Sequence, residues 1–291
     1  MALSWPDTFA GTRRLAGLGM AFMWSGLLTA GLDMATRSLI TRNFGIDAAG
    51  LYQAAWALSG MFAGFILSAM GTDFFPRLTS VIHDQKLASS TVNEQTEIGL
   101  LLALPGLLGT LAFAPWVMEA FYTKQFLPGA ALLPWFILGI FGRIVSWPMG
   151  FIQLAKGASR WFVATETFFV GLQLGLLFWA VPLLGLVGVA YVFAITYFLY
   201  TLGMLWVAKV LIGFRWSAEV KKLLMLSSFF ILVGLGVRFA SHGWVGMLAG
   251  GAVTLAGAIL SLRGLAARLG ADSRLCKLMR VMPGGRWIMR V

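Results

Sequence analysis

Residues 65–81 read FILSAMGTDFFPRLTSV, an apolar run that ends on an acid, two phenylalanines, a proline and an arginine. Either Asp73 belongs to a site in a water-soluble core, or these residues form the end of a helix leaving a lipid bilayer. The composition of the whole chain decides between them. Of 291 residues, 59% are hydrophobic and 11% charged, and the mean hydropathy is +0.85. A soluble domain carries roughly 25% charged residues because its surface must face water. This chain has less than half that supply, so it reads as a polytopic membrane protein. Its apolar runs are far longer than the alternating segments of a transmembrane strand, which makes the fold class all-α.

Eight segments are long enough to cross a hydrocarbon core about 30 Å thick: 15–38, 50–73, 97–119, 129–155, 161–181, 186–208, 222–240 and 243–262. The first follows Arg13 and Arg14 as a signal peptide would, but no small-x-small cleavage site comes after it and further spans do, so it is read as a retained helix. The 35 glycines lie largely in the spans, where they allow close helix contact. Pro105, Pro134 and Pro148 fall within spans and are expected to bend or break them. The longest connection is the polar stretch from Arg77 to Thr96.

The net charge is +11, but its distribution argues against a nucleic-acid partner. With the N-terminus inside, seventeen of the 22 lysines and arginines fall on the cytoplasmic side. Arg37, Arg42, Lys124 and Arg238 fall outside or near the outer ends of spans, and Arg143 lies mid-span. That bias is the one positive-inside retention predicts, and it puts both termini in the cytoplasm. The stretch 263–291 reads as a basic cytoplasmic tail lying on the inner leaflet, so anionic lipids are expected partners. Asp73 then marks the inner end of the second span. Two readings of it stand: a plain helix exit with Phe74 and Phe75 at the interface, or a cytoplasmic gate pair formed with Arg77 four residues on.

Ionisable residues at bilayer depth are costly and by default functional. Arg143, in WFILGIFGRIVSWPMGF, is about midway along the fourth span, where an arginine costs at least ~3 kcal/mol on insertion scales. It requires an acid, backbone carbonyls or a water-filled cavity. It is either half of a structural ion pair or a cationic grip on an anionic substrate, since guanidinium holds phosphate bidentately. Asp33 and Arg37, four apart in GLDMATRSLITRNFG, either neutralise each other or supply a proton-coupling acid and a second cavity cation. Glu166, in RWFVATETFFV, can snorkel, pair with Arg143 or carry a proton. No cofactor is implied: His83 and His242 are too few and too far apart for a metal site, and no P-loop is present. The single Cys276 excludes an intrachain disulfide framework. The outer loops are short, which disfavours an enzyme.

The strings TRNFGIDAAGLYQAAWALSGMFAGFILSAMGTDFFPRLTSV, NEQTEIGLLLALPGLLGTLAFAPWVMEAFYTKQF and WFILGIFGRIVSWPMGFIQLAKG, in that order, resemble the polysaccharide-exporter and O-antigen flippase (Wzx-like) branch of the multidrug/oligosaccharidyl-lipid/polysaccharide (MOP, MATE-like) superfamily. The resemblance covers roughly residues 15–215. It implies a flippase of the bacterial inner membrane that moves undecaprenyl-pyrophosphate-linked oligosaccharide by alternating access around a cationic cavity. Relatives have two six-helix lobes, and this chain resembles the second. The expected organisation is therefore a cytoplasmic N-terminus (1–14), a six-helix lobe (15–215), two additional helices (216–262) and the tail (263–291). The first lobe is missing, so the chain is expected to be a fragment of a longer frame or to assemble with a first-lobe chain or a second copy. Two other readings remain: a MATE-like drug or cation antiporter, which calls for an acidic cavity, and a truncated, non-transporting remnant or assembly partner.

Overall fold

A computed structural model describes residues 5–241 and 243–269, and among them every regular element is helical. Helical residues run without a loop from Trp5 to Val81. A straight helix of that length would measure roughly 115 Å, several times the thickness of a bilayer core. Gly45 resolves the mismatch: its φ of 85° and ψ of 176° break the helix into two limbs, α1 (5–44) and α2 (46–81). That backbone region is essentially closed to residues carrying a Cβ. Nothing lies within 4 Å of a Cβ built on Gly45, so conformation rather than crowding demands glycine there. The limbs fold back antiparallel. Ala21 near the start of α1 shares a cluster with Phe75 near the end of α2, and Ile40 packs in one cluster with Tyr52.

The chain continues as α3 (Gln85–Phe121), a 3-10 helix (Lys124–Ala131), α4 (Leu133–Ala155), α5 (Ser159–Leu184), α6 (Val187–Ile212), α7 (Ala218–Ala240) and α8 (Gly243–Leu269). Among the described residues, seven helical stretches are apolar and long enough to cross a membrane. The first of them, Gly19–Ser68, has 50 residues, roughly 75 Å of helix, so its break at Gly45 makes two crossings and eight among the described residues.

Three expectations are corrected. The connection expected over Arg77–Thr96 shrinks to residues 82–84, because α2 continues through Pro76 to Val81 and α3 starts at Gln85. Asp84 caps α3 by accepting from the amides of Lys86 and Leu87. Hydropathy marks only the bilayer part of a helix, and polar turns beyond it look like loop. None of Pro105, Pro134 and Pro148 breaks its helix: Pro134 sits in the first turn of α4, where its missing N–H costs nothing. Arg263 and Arg268 belong to α8 rather than to a tail, and residues 270–291, with Cys276, lie outside the described residues.

The core is set by close helix approach. α4 and α6 share the most extensive packing. A Cβ at Gly139 would collide with the Phe193 ring, and one at Gly142 would lie 3.2 Å from the Tyr197 carbonyl oxygen. Phe136 packs edge-on against Phe193 of α6 while Ile144 meets Gly99 of α3, and both are buried, as are Ile137 and Ile140. Large apolar side chains such as Phe65, Phe178, Trp179 and Phe198 are exposed on the outside of the bundle, as lipid contact requires.

At one end the bundle is tied by polar contacts. The Asn93 side chain donates to the carbonyls of Ser89 and Arg215 and accepts from the Ser217 amide at 2.9 Å. The buried Glu97 accepts from Arg268 of α8 and from the Ser217 hydroxyl. Lys156 donates to the Leu211 carbonyl at 2.8 Å. These contacts gather Lys156, Arg215 and Arg268 at the same end as Arg77 and Glu94.

Two stability predictions follow from these joints. Gly45→Ala forces a side chain into the closed backbone region and is expected to cost about 1–3 kcal/mol, read as a lowered unfolding midpoint in detergent. Glu97→Ala removes the carboxylate that holds α8 and Ser217, and is expected to cost about 2 kcal/mol in the same assay. Substitution at exposed Glu94 should cost far less.

Candidate functional site

Five helices leave a cavity of about 360 Å³ between them, with walls from α1, α2, α4, α5 and α6. The register of α4 decides what it presents there. With Ile140 and Ile144 packed inward, Phe136, Arg143, Trp147 and Gly150 form the adjoining stripe at i, i+7, i+11 and i+14 and line the cavity. Arg143 is exposed. Among the described residues its guanidinium makes no hydrogen bond and no ion pair; only its backbone carbonyl is used, by Ser146. Of the compensations a mid-span arginine requires, this one is an opening to solvent-sized space.

Both carboxylates in the lining are engaged. Asp33 of α1 pairs with Arg37 at 3.0 Å, with the two side chains 42% and 50% exposed respectively. Asp33 borders the central cavity, whereas Arg37 lies with Ser38, Thr41 and Arg42 in a shallow groove on the outer face of α1. The two expected cavity cations are therefore not together: Arg143 lines the cavity and Arg37 does not. Glu166 of α5 accepts from the Ser25 hydroxyl and from the Tyr200 hydroxyl, each at 3.0 Å. It forms no ion pair with Arg143, which corrects that option. Next to it, the Trp24 indole donates to Thr167 at 2.9 Å, so α1 is latched to α5 by two neighbouring contacts.

The remainder of the wall is aromatic. The Tyr52 and Trp56 rings lie nearly parallel, with centroids 6.4 Å apart. Trp56 meets Phe193 edge-on at 4.9 Å, and Trp147 packs on Phe151 at 4.5 Å. Such rings lend a dry wall to the cavity, while hydroxyls of Ser25, Thr29, Tyr197 and Tyr200 supply neutral polar contacts. Sequence reasoning missed Ser25, Tyr197 and Tyr200. The one available signal was the pair of tyrosines three apart in VFAITYFLYTLG, which puts both on one face of an otherwise apolar helix.

Asp73 and Arg77 lie apart from this cavity, beside Gln95 and Leu102 of α3. Their side chains are 3.6 Å apart, but Arg77 lies closer to Glu94, at 3.2 Å. Any gate there involves Glu94 of α3, a residue the expected loop concealed.

Residues 1–131 match the family model described as "Polysaccharide biosynthesis protein". The chain is similar to the Lipid III flippase of Escherichia coli (strain K12), with 22% identity over 202 residues, 68% of this chain and 47% of that protein. The chain thus spans about half the length of the curated relatives it matches. Among solved structures it is similar to an outward-facing multidrug resistance MATE family transporter of the MOP superfamily, with a TM-score of 0.56, 15% identity, and 87% of this chain and 63% of that one covered. A MOP superfamily transporter from Pyrococcus furiosus gives a TM-score of 0.52 at 15% identity, covering 94% of this chain and 67% of that one. The fold is that of the MATE-like transporters, and the likeness reaches past residue 215 into α7 and α8. The resemblance to the polysaccharide-exporter and flippase branch is borne out, and the chain is a multi-pass membrane protein.

If water fills the central cavity, Arg143→Cys in a Cys276→Ser background should react with a charged methanethiosulfonate reagent in membranes. Ile144→Cys, one residue away but buried, should react at least about 10-fold more slowly. Equal rates would mean that α4 is not in the register described.

Proposed function

We propose that this chain translocates undecaprenyl-pyrophosphate-linked oligosaccharide across the bacterial inner membrane for O-antigen or related polysaccharide biosynthesis. The observation that carries the reading is the free guanidinium of Arg143 in a cavity whose carboxylates are both taken. A pyrophosphate cannot enter hydrocarbon as an ion without a cost of tens of kcal/mol. A fixed cation in a hydrated recess replaces part of the water the headgroup gives up. Guanidinium suits the task because it binds phosphate oxygens bidentately and does not deprotonate. The cavity volume of about 360 Å³ is at the lower end of small-molecule sites. It matches a pyrophosphate with a proximal sugar, while the polyprenyl chain stays in the lipid. The family-model match and the similarity to Lipid III flippases point the same way.

The basic end of the bundle is assigned to the cytoplasm by the positive-inside rule, with both termini there. The open side of the cavity is assigned to a second helical unit, either a first-lobe chain or another copy. Asp33, Arg37, Ser38, Thr41 and Arg42 form a polar surface on α1, which lipid would not cover favourably. An antiporter reading draws on Asp33 and Glu166 sharing the cavity. Against it, Asp33 is held by Arg37 and Glu166 by two hydroxyls. In the flippase reading the same acids serve as latches, with Glu166 joining α1, α5 and α6, and either remains a candidate for proton coupling.

The test is complementation of a flippase-deficient strain by the full chain, alone and with a first-lobe chain. Rescue is expected in at least the second arrangement, and failure in both, at normal protein levels, favours the non-transporting remnant. In the rescuing arrangement, Arg143→Ala and Arg143→Lys should each lower export by about 10-fold or more, the loss expected for a charged hydrogen-bonding pair. Wild-type export by both would remove Arg143 from the mechanism.

A further inference from the structure

A second recess lies between α3, α7 and α8, at the end of the bundle away from Glu97 and Arg268. Its volume is about 320 Å³, and it shares no lining residue with the central cavity. The floor is made by small residues. A Cβ on Gly250 would lie 2.8 Å from the Ala112 Cβ, and one on Gly246 would lie 2.7 Å from the Ser241 carbonyl oxygen. Leu108, Met247 and Val253 supply apolar walls. Trp116 and Trp244 face each other with ring centroids 6.4 Å apart, and Trp244 is exposed, as indoles at a membrane–water boundary are.

Into this recess projects one charge, Arg238, in the last turn of α7. Its Nε is buried without a hydrogen-bond partner. Among the described residues Arg238 forms no ion pair, and the lining contains no carboxylate. A cation whose inner nitrogen is withdrawn from water and left unmatched is unfavourable unless an anion meets it. A plain snorkelling arginine would instead extend its whole head into water.

We infer that this recess holds the phosphate of an anionic lipid headgroup, gripped by Arg238 and flanked by Trp116 and Trp244. The chemistry required is a phosphate ester whose charge is not cancelled by an ammonium of its own. A lipid is favoured over a soluble phosphate because the recess around the cation has apolar walls in Leu108, Met247 and Val253, with exposed Trp244 packed on its Trp116. The assignment stands apart from the flippase reading: it concerns different helices and survives if the central cavity carries another cargo. The competing account is that Arg238 merely neutralises the C-terminal dipole of α7, which calls for no lipid.

The experiment uses the full chain in nanodiscs of phosphatidylcholine with and without phosphatidylglycerol, read by thermal unfolding and by native mass spectrometry of retained lipid. Phosphatidylglycerol is expected to raise the unfolding midpoint of the wild type and to remain bound after release from the disc. Arg238→Gln should weaken that retention by about 10-fold or more and lose most of the phosphatidylglycerol-dependent shift. Its midpoint in pure phosphatidylcholine should be no lower than that of the wild type, because an unmatched buried cation has been removed. Should Arg238→Gln fail to fold, Met247→Trp, which fills the recess and keeps the charge, must lose the same shift. Three results would overturn the inference: an unchanged lipid-dependent shift in the folded variant, an equal loss of stability in both lipids, or full reproduction of the wild-type shift by soluble glycerol 1-phosphate.

Discussion

A guanidinium cannot stay in hydrocarbon without water, an acid or an array of carbonyls beside it, and the central part of this structure follows from how that requirement is met. Arg143 is fixed in the middle of α4 by a helix whose neighbouring face is packed as tightly as glycine permits against α6. With that face committed, the arginine has one direction left, and the helices around it must leave a hollow. The two acids that might have filled its need are committed elsewhere, Asp33 to its own helix and Glu166 to Ser25 and Tyr200. The cavity is thus the solution to a charge problem before it is a binding site.

The walls around Arg143 hold their positions through contacts that are not themselves at the cavity centre. Gly45 turns α1 back along α2, so that Asp33 and Tyr52 reach the same cavity from two limbs of one hairpin. Trp24 and Ser25 then tie the lower part of α1 to Thr167 and Glu166. At the basic end, Asn93 and Glu97 bind the α6–α7 connection and α8 to α3. The polar joint at Glu166 is backed by apolar contact on the same side, with Phe22 of α1 against Phe162 of α5 and Ala21 buried beside Leu154 and Phe162.

Much of the scaffold was legible in the sequence, since lipid imposes its demand on every span separately. The eight crossings and the mid-span position of Arg143 came from length, charge and residue chemistry. What was hidden depended on partners. The residues from Gln85 to Thr96 are polar enough to look like a loop, yet Asp84 caps them and Asn93 and Glu97 point into a packed joint. Arg37 and Asp33 looked equally suited to a cavity, and the three-dimensional course of α1 separates them. Tyr200 gave no charge signal at all, so its contact with Glu166, 34 residues earlier, could come only from the fold.

An unpaired cation is better adapted to a cargo that must leave than a cation already matched to an acid. With a resident carboxylate, an arriving phosphate would first have to break an ion pair, and its release would be driven by that pair re-forming. With water as the resident, both steps exchange hydration for one charged contact and back again, and the net free energy stays modest in each direction. The neutral hydroxyls and aromatic faces beside Arg143 add contacts without adding fixed charge. On the proposed flippase reading, they can hold a polar headgroup loosely in several orientations, which passage through a site requires and a tight, fully matched pocket would prevent.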